Sequence, residues 1–396
     1  MQTAKKVFID TIKGGTADRV PCGLHWWGIY KYEALGLDFT RDAWKEGKKL
    51  AEVYAGFYEK FKPDWFHLHI GTPVYFKDSG IVRRDGKSYL VIDPQYRSLK
   101  KDDRYFSVNS PDDEEIVDFP DYLLGSRSFK PKVNLGSLRA IDDYVRRYIR
   151  MSAEEITAMG YTDHVREIVR WYGEEVFIAV HIPSAVCEIF DPTTGYVGFE
   201  EGLMAFYDHP EGMRHLFERC YEEQLEWAKA YAQAGAHSYV ISETYISPDI
   251  TDPAIYRNNL KGIHRDYFAE ISRMGMIPIC NFWGDVNPIL EDLTEINISA
   301  LMVEESKKQF TIDIHAIREA VGDRLCVFGN LDSITLLVHG TPDDIRAEVL
   351  AQAAFAPKNF VAANGSPVAP DTPEENVRAF IDTVHENLHT PGAHKL

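Results

Sequence analysis

Eight short apolar runs punctuate the chain, each closing in polar residues and followed by a stretch with helical spacing. They are Val20–His25, Trp65–His69, Val176–His181, Ser238–Ser242, Met276–Cys280, Ala300–Val303, Leu325–Phe328 and Phe360–Ala363. Among the intervening stretches, Gly212–Ala234 sets Leu216, Cys220, Leu225 and Ala228 near one helix face, and Pro253–Arg273 is a second helical segment. A third runs from Thr341 to Ala353, with Thr341 suited to cap its first turn. This repeated strand–helix unit predicts an α/β fold, a (β/α)8 TIM barrel, in one domain over residues 1–396. The active site of such a barrel lies at the C-terminal ends of its strands. No glycine-rich fingerprint follows the first run, as an open dinucleotide-binding sheet would require.

One interval breaks the rhythm. Residues 77–170 separate the second and third runs and contain the alternating stretch Ile81–Ile92 with Asp85-Gly86 at its centre, a hairpin signal. An insertion of about 77–170, made of a β-hairpin and helices, is expected at the catalytic face.

Composition narrows the field. With 396 residues, 45% of them hydrophobic, the chain can bury one large core. A net charge of −18 argues against nucleic acid or an anionic membrane as a partner. No apolar run reaches the length of a membrane span, and Met1–Lys6 leads into an amphipathic segment unlike a signal sequence. Five scattered cysteines are expected to be reduced thiols, which suits a cytoplasmic protein.

The strand ends carry the chemistry. In order they read His25-Trp26-Trp27, His67 and His69, His181, Glu243-Thr244-Tyr245, Cys280-Asn281, Glu304-Glu305, Asn330 and Asp332, then Asn364 and Ser366. Histidine, carboxylate and thiolate either hold metal or move protons. Glu243, Glu304, His181 and His69 are therefore the candidate catalytic residues. His25, Trp26, Trp27, Tyr245, Asn281, Asn330, Asp332 and Asn364 are candidates for binding the ligand, with the paired tryptophans suited to a flat aromatic or corrin group. Cys280, ending the fifth run, is the candidate metal ligand together with Glu243. His67 shares a face with His69, directed into the barrel or toward its helices according to register. Glu305 is expected to point away from Glu304 and to be structural. Cys22, Cys187, Cys220 and Cys326 read as packing residues.

Several of these motifs occur together in one known family. Arg19-Val20-Pro21, Asp252-Pro253, Gly322-Asp323-Arg324, Gly329-Asn330-Leu331-Asp332 and Thr372-Pro373-Glu374-Glu375-Asn376 stand in order along the chain. In them the sequence resembles the uroporphyrinogen decarboxylase superfamily, which includes zinc-dependent methyltransferases serving corrinoid proteins. The decarboxylases hold their substrate's carboxylates with an arginine-rich segment after the first strand. Here that place reads His25-Trp26-Trp27-Gly28-Ile29-Tyr30-Lys31-Tyr32, without arginine. The family's histidine in the last strand–loop motif falls near Ser366. The thiol methyltransferases bind zinc through a His-x-Cys pair on the fifth strand and a late cysteine. The corresponding residues are Pro278-Ile279-Cys280 and Ser366, so one ligand of three is kept.

The resemblance thus implies a branch that moves a methyl group between a small methoxy or methylamine compound and the corrinoid cofactor of a partner protein, with the cobalt(I) corrinoid as nucleophile in the demethylating direction. Zinc would assist, and the corrinoid would arrive on a separate chain, because no Asp-x-His-x-x-Gly cobalamin motif is present. Relatives of this fold are often dimers. The alternatives are a decarboxylase or other lyase of a small carboxylated substrate, and a metal-free binding barrel.

Overall fold

The computed structural model describes residues 2–26, 28–37, 46–74, 80–84, 87–91, 116–119, 132–192, 195–354 and 358–388, with only the backbone at 80–84, 87–91 and 116–119. Ten strands are present among these residues. They are β1 (Trp65–Leu68), β2 (Gly80–Arg84), β3 (Lys87–Val91), β4 (Ile116–Phe119), β5 (Phe177–Pro183), β6 (Ser238–Glu243), β7 (Ile277–Phe282), β8 (Ala300–Val303), β9 (Cys326–Phe328) and β10 (Phe360–Val361). Seven form one parallel sheet in the order β1-β5-β6-β7-β8-β9-β10. Each crossover carries helix, among them Asp163–Tyr172, Pro210–Gln233, Lys261–Arg273, Ile314–Val321 and Pro342–Ala353. The last is capped as expected, with Thr341 and Asp344 forming a reciprocal capping box. The remaining strands, β2-β3-β4, make a small antiparallel sheet. The Asp85-Gly86 turn between β2 and β3 lies outside the described residues.

The run expected over Val20–His25 is extended chain with one ladder bridge, Cys22 to Ala362. Its hydrogen bonds show where it runs. Ala362 N–H donates to the Pro21 carbonyl (3.1 Å), Gly23 N–H to the Ala362 carbonyl (2.8 Å), and Asp64 N–H to the Cys22 carbonyl (3.0 Å). The segment therefore lies between the two edges of the seven-stranded sheet, an arrangement consistent with a TIM barrel. Gly23 is needed there, because a Cβ at that position would lie 2.4 Å from Val361 Cγ1.

Strand parity sorts the side chains into two layers. Phe8, on the helix Ala4–Ile12, stacks on Trp65 and Phe177 with ring centroids 5.6 and 4.9 Å apart, and lies 6.1 Å from Phe328. Trp65 and Phe177 open their strands, so this aromatic plug fills the N-terminal end of the curled sheet. Residues in register with them point inward: His67 with Ala179, His181 with Val240 and Ile279, and Asn281 with Met302. Their neighbours point out. Tyr239 of β6, for example, packs its ring against Tyr231 of the helix Pro210–Gln233.

A buried carboxylate holds the first segment in place. Asp64, just before β1, accepts from Cys22 N–H (2.7 Å), from both terminal nitrogens of Arg19, and lies 3.3 Å from His385 Nε2 on the helix Glu374–Asn387. Burial alone would raise its pKa, but hydrogen bonds from His385 and Arg19, with the Arg19 charge, hold it below the ordinary 3.8. Its stabilising contribution is then complete above 3.8 and is lost as pH falls through the depressed folded value. Replacing Asp64→Ala leaves Arg19 facing a buried site without its partner, at a cost of about 3 kcal/mol. Urea unfolding should show this loss near pH 7, with the gap to wild type narrowing below about pH 4; equal stabilities at pH 7 would refute the clamp.

Candidate active site

At the C-terminal ends of the inward-facing positions, four imidazoles meet. His25 comes from the bridging segment, His67 and His69 from the end of β1 and the loop after it, and His181 from β5, and all four are buried. Alternation explains the selection: His67 lies two residues beyond the inward Trp65, and His181 two beyond the inward Ala179. His67 Nε2 is 3.0 Å from His181 Nδ1, and the two rings are nearly parallel at 8°. The His25 ring centroid lies 4.6 Å from that of His67 and 5.8 Å from that of His181, while His69 is 5.7 Å from His181. Second contacts fix the backbone: His25 N–H donates to Asn364 Oδ1 (2.7 Å), and His69 N–H to Tyr54 Oη (3.1 Å).

Burial drives all four imidazoles toward the neutral form. His25 is pushed well below 6.5 by desolvation and then by His181, His67 by desolvation and then by His25 and His181, and His69 by desolvation and then by His181. Desolvation takes His181 down to about 3. At neutral pH the cluster is a set of uncharged nitrogen donors and acceptors, the protonation state that ligates metal. Among the described residues, His25, His67 and His181 are the one group of three such side chains whose ligand atoms all lie within 4.8 Å of one another.

The wall beside them comes from β6 and β7. Trp283 Nε1 donates to Ser242 Oγ (2.7 Å), Asn281 Nδ2 lies 3.5 Å from the same oxygen, and the Trp283 ring is 6.2 Å from His25. Glu304 follows β8 and accepts from Gly284 N–H (2.9 Å) while pairing with Lys307 Nζ (3.1 Å). Gly284 has φ +97, and a Cβ there would lie 2.5 Å from Ser247 Oγ, so the turn that brings its N–H to Glu304 needs glycine. Glu305 is buried with both carboxylate oxygens accepting from Ser366 Oγ (2.8 and 2.9 Å).

Several expected participants sit elsewhere. Glu243 faces the helix layer: it accepts from Tyr221 Oη (2.6 Å) and Ser184 Oγ (2.9 Å) and lies 3.2 Å from His264 Nε2. Cys280 is in register with Ile241, two residues before Glu243, and shares that outward face. Pairing Cys280 with Glu243 as metal ligands at the mouth is corrected accordingly, because both point away from the histidines. The inward pair with one residue between them is Asn281 and Trp283. Trp26 also turns outward, stacked on Phe57 at 4.3 Å, and Trp27 lies outside the described residues. Tyr245 has φ +56 and packs near Phe199 at 5.7 Å. Asn330 Nδ2 donates to the carbonyls of Glu304 (3.1 Å) and Ile312 (3.2 Å), Asp332 caps the turn at Ile334 and Thr335, and Asn364 supports His25 and the Ser366 carbonyl. These three organise loops.

With this geometry in hand, comparison with known proteins fixes the family. The sequence profile named uroporphyrinogen decarboxylase (URO-D) matches residues 144–387. The chain belongs to the URO-D family. It is 33% identical over 170 residues to the methylcobamide:CoM methyltransferase MtaA of Methanosarcina barkeri, covering 42% of this chain and 48% of that protein. The match thus spans about half of that relative's length. A uroporphyrinogen decarboxylase of Salinibacter ruber is 26% identical over 356 residues, 80% of this chain and 92% of that one. The solved structure of a methyltransferase from Methanosarcina mazei superimposes over 98% of this chain and 99% of its own with a TM-score of 0.67 at 20% identity, which shows a shared fold.

The outward placement of Cys280 has a direct chemical consequence. Its thiol is buried and is raised well above 9.0, first by desolvation and then by Glu243. In the native URO-D-family chain at pH 8, Cys280 should stay unreactive toward an aromatic disulfide until denaturant is added. Cys280→Ala should cost about 1 kcal/mol of stability and leave divalent-metal retention unchanged. Rapid native labelling of Cys280 would contradict its place under the helices.

Proposed function

We propose that this protein moves a methyl group between a small methoxy or methylamine compound and a corrinoid carried by a partner protein, in the demethylating direction. The observation that carries this reading is the neutral histidine face at the inward strand ends, joined to the similarity with MtaA. A porphyrinogen-type substrate would bring many carboxylates and would call for guanidinium forks. The inward mouth residues named above are instead His25, His67, His69, His181, Ser242, Asn281, Trp283 and Glu304, with no arginine among them. The same reading takes residues 1–396 as one barrel domain interrupted at about 77–170, and places the protein in the cytoplasm.

The corrinoid supplies the nucleophile to which the methyl group passes. The chain's own part is to bind, to exclude water and to stabilise the group that leaves. An ether oxygen departs as an alkoxide or phenolate unless a proton or a Lewis acid meets it. Imidazoles this far below 6.5 carry no spare proton at pH 7. They act here as hydrogen-bond donors to the departing oxygen or nitrogen, or as ligands of zinc. Trp283 and Asn281, tied together through Ser242, shape the side against which the methyl donor rests.

The test uses the purified chain, chemically reduced free cobalamin and a panel of methoxylated aromatics and methylamines, following methylcobalamin formation by absorbance. Formation should require protein, donor and reduced corrinoid together, and His181→Ala should slow it about 100-fold or more with the fold retained by circular dichroism. Carbon dioxide release from a carboxylated substrate without corrinoid would replace this reading by the second one. That second reading, a carboxy-lyase of a less acidic substrate, is favoured by the similarity to the Salinibacter ruber decarboxylase over 80% of this chain.

A further inference from the structure

We infer that His25, His67 and His181 form a divalent-metal site of the zinc class, held on the bridging segment, β1 and β5. This assigns the Lewis acid of the proposed reaction, and rests on that reading for the metal's use though not for its binding. These elements lie apart from β7, which carries Cys280.

Three observations meet here. The ligand atoms of the three side chains fall within 4.8 Å of one another, and His67 Nε2 lies 3.0 Å from His181 Nδ1. Imidazoles bound to tetrahedral zinc at about 2.0–2.1 Å have nitrogens about 3.4 Å apart. That pair is thus near ligand spacing, and no pair among the three exceeds it by more than about 1.4 Å.

The second observation is a polar atom without a partner. His67 Nδ1 is buried with no hydrogen-bond partner, although burying an imidazole nitrogen unpaired is costly. With a metal on Nε2, the atom facing His181, the proton of His67 sits on Nδ1, and that N–H is left to a water or ligand atom brought in with the metal.

Third, the cluster carries no carboxylate. Three neutral ligands leave the full dipositive charge on the metal, so the remaining position favours an oxygen or nitrogen ligand that can become anionic. A departing alkoxide or phenolate has that chemistry. The sheet also presents the three residues from neighbouring positions: β1 pairs with β5, and the bridging segment lies against Asp64 at the start of β1.

Metal binding can be read without turnover. The wild-type chain should contain about one zinc by elemental analysis. After chelation and return of cobalt(II), it should show the visible absorption of a four-coordinate nitrogen–oxygen site. His67→Gln and His181→Ala should each weaken cobalt binding by about 100-fold or more, whereas His237→Ala, a histidine that accepts from Ile178 N–H away from the cluster, should bind as wild type. Failure of folded wild type to take up stoichiometric zinc or cobalt at micromolar free metal overturns the assignment. So does wild-type affinity in folded His67→Gln. Metal binding without methyl transfer removes the proposed function and keeps the site; methyl transfer by metal-free wild type keeps the function and overturns the metal's assignment as its Lewis acid.

Discussion

The Asp64 carboxylate is the constraint on which the site depends. The segment Val20–His25 has a single ladder bridge, so backbone pairing alone holds it loosely between β10 and β1. Asp64 adds a charge-assisted bond to Cys22 N–H and ties the segment through Arg19 on one side and His385 on the other. Charged partners make such bonds stronger than neutral ones. Asp64 thus anchors the middle of the segment, and bonds from His25 N–H to Asn364 Oδ1 and from Val368 N–H to the His25 carbonyl hold its end beside His67.

From that point inward, burial does two jobs at once. The aromatic plug of Phe8, Trp65, Phe177 and Phe328 closes one end of the curled sheet, which leaves only the opposite end for polar side chains. The histidines placed there are stripped of water and crowd one another, and both effects oppose a positive charge. The outer face is treated differently. There Glu243, Tyr221, Ser184 and His264 form a buried hydrogen-bonded network that locks β6 to its covering helices. Adjacent residues of one strand thus serve opposite ends: Ser242 steadies Asn281 and Trp283 at the mouth, and Glu243 binds the helix layer.

How much of this the sequence revealed follows from the same alternation. The strands were readable because apolar runs bounded by polar tips and helical spacing specify β–α units, and the observed bounds differ from the expected ones by a residue or two except at Val20–His25. The face each tip residue adopts was not readable. A one-residue change of parity exchanges Cys280 for Asn281 and Glu243 for Ser242, and hydrophobicity offers no guide in strands buried on both sides. His67 shows the signal that was present: its spacing from His69 required a common face, and only the inward Trp65 two residues earlier decides which. Trp283 was missed because it lies beyond the end of its apolar run.

Parity also bears on how one barrel can serve both methyltransferases and decarboxylases. The inward residues near the strand starts are apolar and hold the plug, so changes there disturb the fold. Those at the strand ends meet solvent, substrate or one another, and their replacement alters chemistry at small structural cost. In this chain the first segment, β1 and β5 carry imidazoles, while the end of β7 and the residue after it contribute an amide and an indole. Any metal-dependent chemistry is thereby shifted toward the side of the sheet that Asp64 holds closed. The clamp and the histidines share one short segment: Asp64 holds it at Cys22, three residues before His25, while Asn364 holds His25 itself.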